Sequence, residues 1–299
     1  MKKTHKLLFL ATLLALSINV SAQDYTFKVL ANKGNNEVKS GTAWQPLKTG
    51  ATLNSGDELR LGDNSYIGLV HSSGKPVEVK AAGVHKVADL ESKVPGGSSV
   101  LNKYTDFILS SNSAEAKKNR LSATGAVHRD LNTAGAAAIR LLLPENDNTG
   151  IFNKTAVVNW EANEKGPYVI TVRNMFEDIV ETAETPETSY RLDLSAPKYA
   201  EENAILIEIS SKADPELVSK RRMIKRLSAA EMEKISSALK EIQPLVSEET
   251  AVNKLLLAGF YENNNLIIDA IYAYEQVMAL EPEAYQETYE EFLLRNNLK

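Results

Sequence analysis

Beyond its first 22 residues the chain holds three histidines, His71, His85 and His128, the natural starting point for metal or acid–base chemistry. No two of them have the i, i+4 spacing that puts a pair of imidazoles on one helix face. His71 and His85 could converge near Asp57 or Asp63 in one β domain, but solvent-facing or packed imidazoles are the simpler reading. With no cysteine in 299 residues, thiol nucleophiles, thiolate ligands and disulfides are all excluded. No serine sits in a nucleophile elbow. Carboxylates are plentiful in pairs such as Glu201-Glu202, Glu248-Glu249 and Glu290-Glu291, yet neighbours in a helix point apart. Glycosidic hydrolysis needs two carboxyls about 5 to 10 Å apart across a cleft, and no such arrangement is legible. The expectation is a protein without catalytic residues, cofactor or resident metal.

One tetrapeptide, His128-Arg129-Asp130-Leu131, resembles the catalytic loop of protein kinases, whose asparagine five residues after the aspartate would bind magnesium. That position is Gly135, and neither a glycine-rich phosphate loop nor an Asp-Phe-Gly accompanies it, so the match is read as chance. The only dense basic run is Lys220-Arg221-Arg222 with Lys225-Arg226, placed on an expected helix with Met223, Ile224 and Leu227 between the charges. Such a run can meet anionic headgroups or an acidic partner, but long cationic side chains snorkelling around an apolar stripe are favoured. Among the aromatics, Tyr272, Tyr285 and Tyr289 are the candidate partner-binding residues, because aromatic anchors commonly line docking surfaces.

The elements that must position these residues begin with an export signal. Lys2, Lys3 and Lys6 precede the apolar Leu7 to Val20, and Val20-Ser21-Ala22 supplies small residues for cleavage, so residues 1–22 read as a signal peptide. A membrane span needs about 20 apolar residues, more than this run offers. Removal leaves 277 residues with 31 of the 34 basic side chains against 39 acidic ones, a net charge of −8. An acidic exported chain is a poor partner for nucleic acid. A periplasmic location is expected, with secretion as the alternative, and no stable membrane span.

Residues 23–95 read as a small all-β domain. Short alternating runs fit Glu58 to Leu61, Tyr66 to Val70, Val77 to Lys80 and Val84 to Val87, separated by Ser55-Gly56-Asp57, Gly62-Asp63-Asn64 and Ser73-Gly74-Lys75. Trp44, Leu47, Gly50, Leu53, Gly56-Asp57, Leu59, Gly62, Asn64-Ser65, Ile67, Leu69, Gly74 and Val77 give this segment a pattern that resembles the periplasmic FecR-type domain. The resemblance implies a ligand- or protein-binding module with no catalytic residues. FecR-type regulators usually carry a cytoplasmic anti-sigma segment and a membrane span, and this chain departs on both counts.

Residues 96–135 form a linker with a helix, since Val100, Leu101, Tyr104, Phe107 and Ile108 recur at helical spacing after Pro95-Gly96-Gly97-Ser98-Ser99. Residues 136–212 return to strands, in Ile139 to Leu143, Ala156 to Trp160, Tyr168 to Val172, Tyr190 to Leu194 and Ala204 to Ile209. Trp160 followed by Tyr168-Val169-Ile170-Thr171-Val172 resembles the early strands of fibronectin type III and immunoglobulin-like sandwiches, where the tryptophan packs between sheets.

Residues 213–299 read as helical, with Asp214 as N-cap before Pro215 and a capping box from Ser228 to Glu231. Leu257-Ala258, Tyr261, Ala270, Tyr274, Val277 and Pro282 resemble a tetratricopeptide repeat over residues 251–284. A single repeat cannot bury its own apolar face, so neighbouring helices are expected to cap it. The chain thus reads as a multidomain α+β protein that binds rather than reacts. The expected partner is another envelope protein engaged through the FecR-like and tetratricopeptide-like domains. A signalling relay, or binding to polysaccharide or peptidoglycan of the cell wall, are the alternatives.

Overall fold

The computed structural model describes residues 25–94, 99–124, 139–145, 150–162 and 166–299, with the side chains of 121–124 left aside. The expected export signal at residues 1–22 and the His128–Leu131 tetrapeptide lie outside the described residues. The fold is mixed α and β, with sheets in the first two thirds and a helical carboxy-terminal region.

The first β unit contains β1 (Phe27–Lys33), β2 (Asn36–Lys39), β3 (Trp44–Pro46), β4 (Thr52–Leu53), β5 (Glu58–Leu61), β6 (Tyr66–His71), β7 (Pro76–Val79) and β8 (Gly83–Lys86), followed by the short helix α1 (Val87–Glu91). Two four-stranded sheets form, ordered β4-β1-β6-β7 and β3-β2-β5-β8. Phe27, Val29, Leu53, Leu59, Ile67 and Leu69 fill the space between them. The Asp57 carboxylate accepts the Asn54 backbone N–H at 2.8 Å, and Asn64 takes a left-handed φ of 55°, as the turn chemistry of these residues predicts. Strand β6 is apolar without alternation, and the fold explains why. Ile67 and Leu69 face the unit's own core, while Tyr66 and Val70 join a second, larger core on the other side.

Helices α2 (Asn102–Ser111) and α3 (Ala114–Thr124) follow. The apolar spacing at Leu101, Tyr104 and Ile108 does predict α2, but the segment is no mere linker. Those three side chains are fully buried in the large core.

The second β unit comprises β9 (Ile139–Leu141), β10 (Gly150–Ile151), β11 (Thr155–Ala162), β12 (Tyr168–Arg173), β13 (Ile179–Thr185), β14 (Ser189–Asp193), β15 (Ala204–Ser211) and β16 (Arg222–Arg226). They form a five-stranded sheet, β10-β16-β15-β12-β13, and a three-stranded sheet, β14-β11-β9. β15 alternates strictly, burying Ile205, Ile207 and Ile209.

Two expectations fail here. The basic run 220–226 is not helical, because Arg222–Arg226 pairs antiparallel with β15, from Ala204 opposite Lys225 to Ile207 opposite Arg222. Asp214 caps no helix either; its carboxylate accepts the Glu216 N–H in a tight turn. The local pattern suits both structures, and the open edge of β15 decides for the strand. The helical region therefore starts at Ala229 rather than at residue 213.

It consists of α4 (Ala229–Ile242), α5 (Ala251–Asn263), α6 (Ile267–Leu280) and α7 (Pro282–Arg295). Ser228 and Glu231 close the expected capping box. Ala258 and Ala270 are fully buried in the α5–α6 hairpin, where small side chains permit close approach. Gly259 serves the same end against α2, since a Cβ there would sit 2.7 Å from Ile108 Cδ1. No helix among the described residues is long and apolar enough to cross a membrane.

Candidate partner-docking site

The three tyrosines singled out for docking are turned towards the chain's own β units. Tyr285 is completely buried, and its hydroxyl meets that of Tyr66 on β6 at 2.8 Å with the rings edge to face. Tyr66 in turn donates to Glu78 at 2.7 Å. Burial pushes both phenols far above their ordinary range, so both stay protonated. Tyr285 is therefore an internal contact, not a surface anchor. Gly68 makes room for it, because a Cβ there would lie 2.6 Å from the Tyr285 hydroxyl.

Tyr289 and Tyr272 face the second β unit. Tyr289 stacks beside Tyr274 and Phe292 and donates to Glu275 at 2.7 Å, and Glu275 also receives Asn159 of β11 at 2.7 Å. The Arg191 guanidinium of β14 lies 5.2 Å from the centre of the Tyr272 ring. Both rings are half-buried in this junction. Helices α6 and α7 thus form a wedge, with Tyr285 of α7 against one β unit and Tyr272 of α6 and Tyr289 of α7 against the other.

Polar links lock the wedge on both sides. Lys80 pairs with Glu281 at 2.7 Å, and Glu78 accepts the Val252 N–H at 3.1 Å at the start of α5. On the opposite flank Asp269, fully buried in the first turn of α6, accepts the N–H groups of Phe152 and Asn153 at 2.8 and 2.7 Å. Burial raises the Asp269 pKa from the ordinary 3.8 to about 6, while these backbone donors pull it down. Within the helices, Arg295 and Glu262 form a buried two-pronged ion pair at 2.5 and 2.6 Å. One large apolar core runs from Leu30 to Leu298 through all of these parts.

The remaining histidines serve local structure. His71 shares Nδ1 with the Ser73 hydroxyl, and His85 Nε2 lies 2.7 Å from the Ala81 carbonyl. Among the described residues no three His, Asp or Glu side chains gather as metal ligands.

The surface feature that stands out is the tip of the β12–β13 hairpin. Phe176 is 86% exposed, with Met175 at 49% and Ile179 at 58%. Their loop is nevertheless tightly held. The Asn174 side-chain oxygen accepts the N–H groups of Phe176 and Asp178 at 2.9 and 3.0 Å. Arg173 donates to the Glu177 carbonyl at 3.1 Å, and Arg221 grips the Glu177 carboxylate at 2.6 Å. An aromatic fixed on a rigid turn is presented to solvent at little entropic cost of later ordering. β13 is also the last strand of its sheet, with its outer edge unpaired among the described residues. Sequence reading passed over this site. The available signal was a turn flanked by Asn174 and Asp178 whose middle positions hold Met-Phe rather than glycine or a polar residue.

No protein-family model matches the sequence, and no curated protein is detectably similar to it.

Proposed function

We propose that this chain is an exported, non-enzymatic binding and scaffolding protein of the cell envelope, which docks another envelope protein on the β12–β13 tip. The observation that carries this reading is the exposure of Phe176, Met175 and Ile179 on a turn whose backbone is already fixed. Rigid aromatic anchors of this kind contribute disproportionately to protein interfaces. A lipid surface fits less well, because Glu177 and Asp178 flank the aromatic and Arg221 is already taken by Glu177 and Glu208.

The export signal at residues 1–22 supports the location, with Gln23 as the mature amino terminus. Two facing four-stranded sheets with tight Gly, Asp and Asn turns support the FecR-type reading of the first unit. For the second unit, support for the fibronectin or immunoglobulin-type reading comes from strands divided between two sheets, with Trp160 buried against the Tyr168 ring. The α5–α6 hairpin followed by α7 suits a tetratricopeptide-like unit, one whose neighbours are β domains of the same chain rather than an outside peptide. The docking surface accordingly moves from the tyrosines to the hairpin tip.

A photo-crosslinking residue placed at position 176 in intact cells tests the reading. It should give one discrete protein adduct, and the same residue at exposed Val84 should not. Absence of an adduct at 176, or the same adducts from both positions, would refute docking at the tip.

A further inference from the structure

The strand that leaves the hairpin tip narrows what can dock there. β13 runs from Ile179 to Thr185 and pairs with β12 alone, from Thr185 opposite Tyr168 to Ile179 opposite Arg173. Among the described residues no hydrogen bond reaches the N–H and C=O groups on its outer side. Such an edge is a template for another strand unless it is blunted. The usual protection is weak here. The strand contains neither lysine nor proline, and its one bulge, where the register shifts between Val172 and Arg173, lies at the tip end and leaves Glu181–Thr185 regular. Its inward-facing charge, Glu181, is already held inside the fold by the Tyr190 hydroxyl at 2.6 Å and Lys198 at 2.7 Å. Thr182 and Glu184 point the other way and are exposed.

Charge along this rim has one sign. Residues 174–190 hold five carboxylates, Glu177, Asp178, Glu181, Glu184 and Glu187, and no lysine or arginine. Three of the five have a cation from elsewhere in the unit, since Arg221 pairs with Glu177, Lys198 with Glu181 and Lys212 with Glu184. Asp178 and Glu187 are exposed and have no cation within ion-pair distance among the described residues; Asp178 receives only the Asn174 amide through its side chain. Arg173 on β12 is engaged by the Glu177 carbonyl. The two unanswered carboxylates stand just before and just after the strand, so an added strand would pass between them. A second copy of this chain is the wrong occupant, because pairing β13 with itself gathers two sets of these carboxylates along one seam.

We propose that the docked partner adds an extended basic segment to β13 as a further strand of this sheet. Its main chain closes the ladder along Glu181–Thr185, its cations answer Asp178 and Glu187, and an apolar side chain beyond the strand rests on Phe176. The inference rests on docking at the hairpin tip and specifies how the partner is held. Main-chain bonds of this kind supply affinity, while the charges at the two ends select a basic segment over an acidic one.

A capped heptapeptide, Lys-Thr-Val-Thr-Val-Thr-Lys, and its charge-reversed form, Glu-Thr-Val-Thr-Val-Thr-Glu, are the probes, with amide hydrogen exchange of the protein read by NMR. Saturating lysine peptide should slow exchange of the outward-facing amides of residues 181–185 at least tenfold. The glutamate peptide should not, and the amides of β8, an edge strand of the first unit, should be unaffected by either. The double variant Asp178→Asn/Glu187→Gln keeps an oxygen to accept the Asn174 amide, so it should fold normally and raise the Kd for the lysine peptide at least fivefold. No slowing at millimolar peptide, equal slowing by both peptides, the same slowing at β8, or an unchanged Kd in the double variant would each overturn strand addition. So would β13 exchange that slows with protein concentration in the absence of peptide, since a second copy would then cover the edge. A photo-crosslinked adduct at position 176 together with unslowed β13 exchange refutes strand addition alone, whereas slowed exchange without that adduct refutes docking at the tip alone.

Discussion

Asp269→Asn should remove a defined part of the pH dependence of stability. The wild-type carboxylate is fully buried, and loss of hydration lifts its pKa from 3.8 to about 6 in the folded chain. A folded-state pKa above the unfolded value means the native state holds the proton more tightly. This group therefore stabilises the fold below about pH 3.8, and that contribution disappears as pH rises through about 6. A difference of about two pKa units corresponds to about 3 kcal/mol between the two limits, of which about 2 kcal/mol falls between pH 7.5 and 4.5. Asparagine cannot titrate, but its single side-chain oxygen satisfies only one of the two N–H groups of Phe152 and Asn153. The unsatisfied donor costs about 1 to 3 kcal/mol at all pH values. Urea unfolding of both proteins at pH 4.5, 5.5, 6.5 and 7.5 isolates the effect, because every other titrating group is common and cancels in the difference. Wild type should gain about 2 kcal/mol on Asp269→Asn as pH falls from 7.5 to 4.5. A difference that stays constant across the series, or one that shrinks towards acid, would refute a buried carboxylate at this junction.

Three further outcomes follow from the same packing. Tyr285→Phe should cost about 1 kcal/mol by removing the Tyr66 contact, and Gly68→Ala about 1 to 3 kcal/mol by crowding the Tyr285 hydroxyl; in the double variant the second penalty should shrink, since the clashing oxygen is gone. Glu262→Gln should destabilise by about 3 to 5 kcal/mol in chemical denaturation, because it strands the Arg295 charge inside the helical core, and a Glu262→Met/Arg295→Met pair should recover much of the loss. Phe176→Ser should leave the unfolding midpoint within about 0.5 kcal/mol of wild type, as its ring is almost wholly in solvent.

Elements whose pattern reflects their own burial were readable from the chain alone. The α5–α6 hairpin with its buried Ala258, Ala270 and Tyr274, the helix carrying Tyr104 and Ile108, and the alternating β15 all lie where periodicity puts them. Turns at Asp57 and Asn64 follow from side chains that bond nearby backbone or tolerate positive φ. Strands β13 and β16 were hidden. The first is a threonine- and glutamate-rich edge, and the second is a basic run whose three apolar residues suit a helix until β15 offers a ladder.

What the sequence determined is the set of local preferences, because capping, turn formation and amphipathic spacing depend on neighbours within a few residues. Only the tertiary structure decided where the tyrosines point. Tyr285 meets Tyr66 across 219 positions, and Asp269 reaches Asn153 across 116. Contacts so distant leave no periodic trace in the chain, since an aromatic that packs inward and one that awaits a partner have the same spacing. Which face of the helical hairpin stays open was settled by the two β units that close on it, leaving Phe176 at the surface.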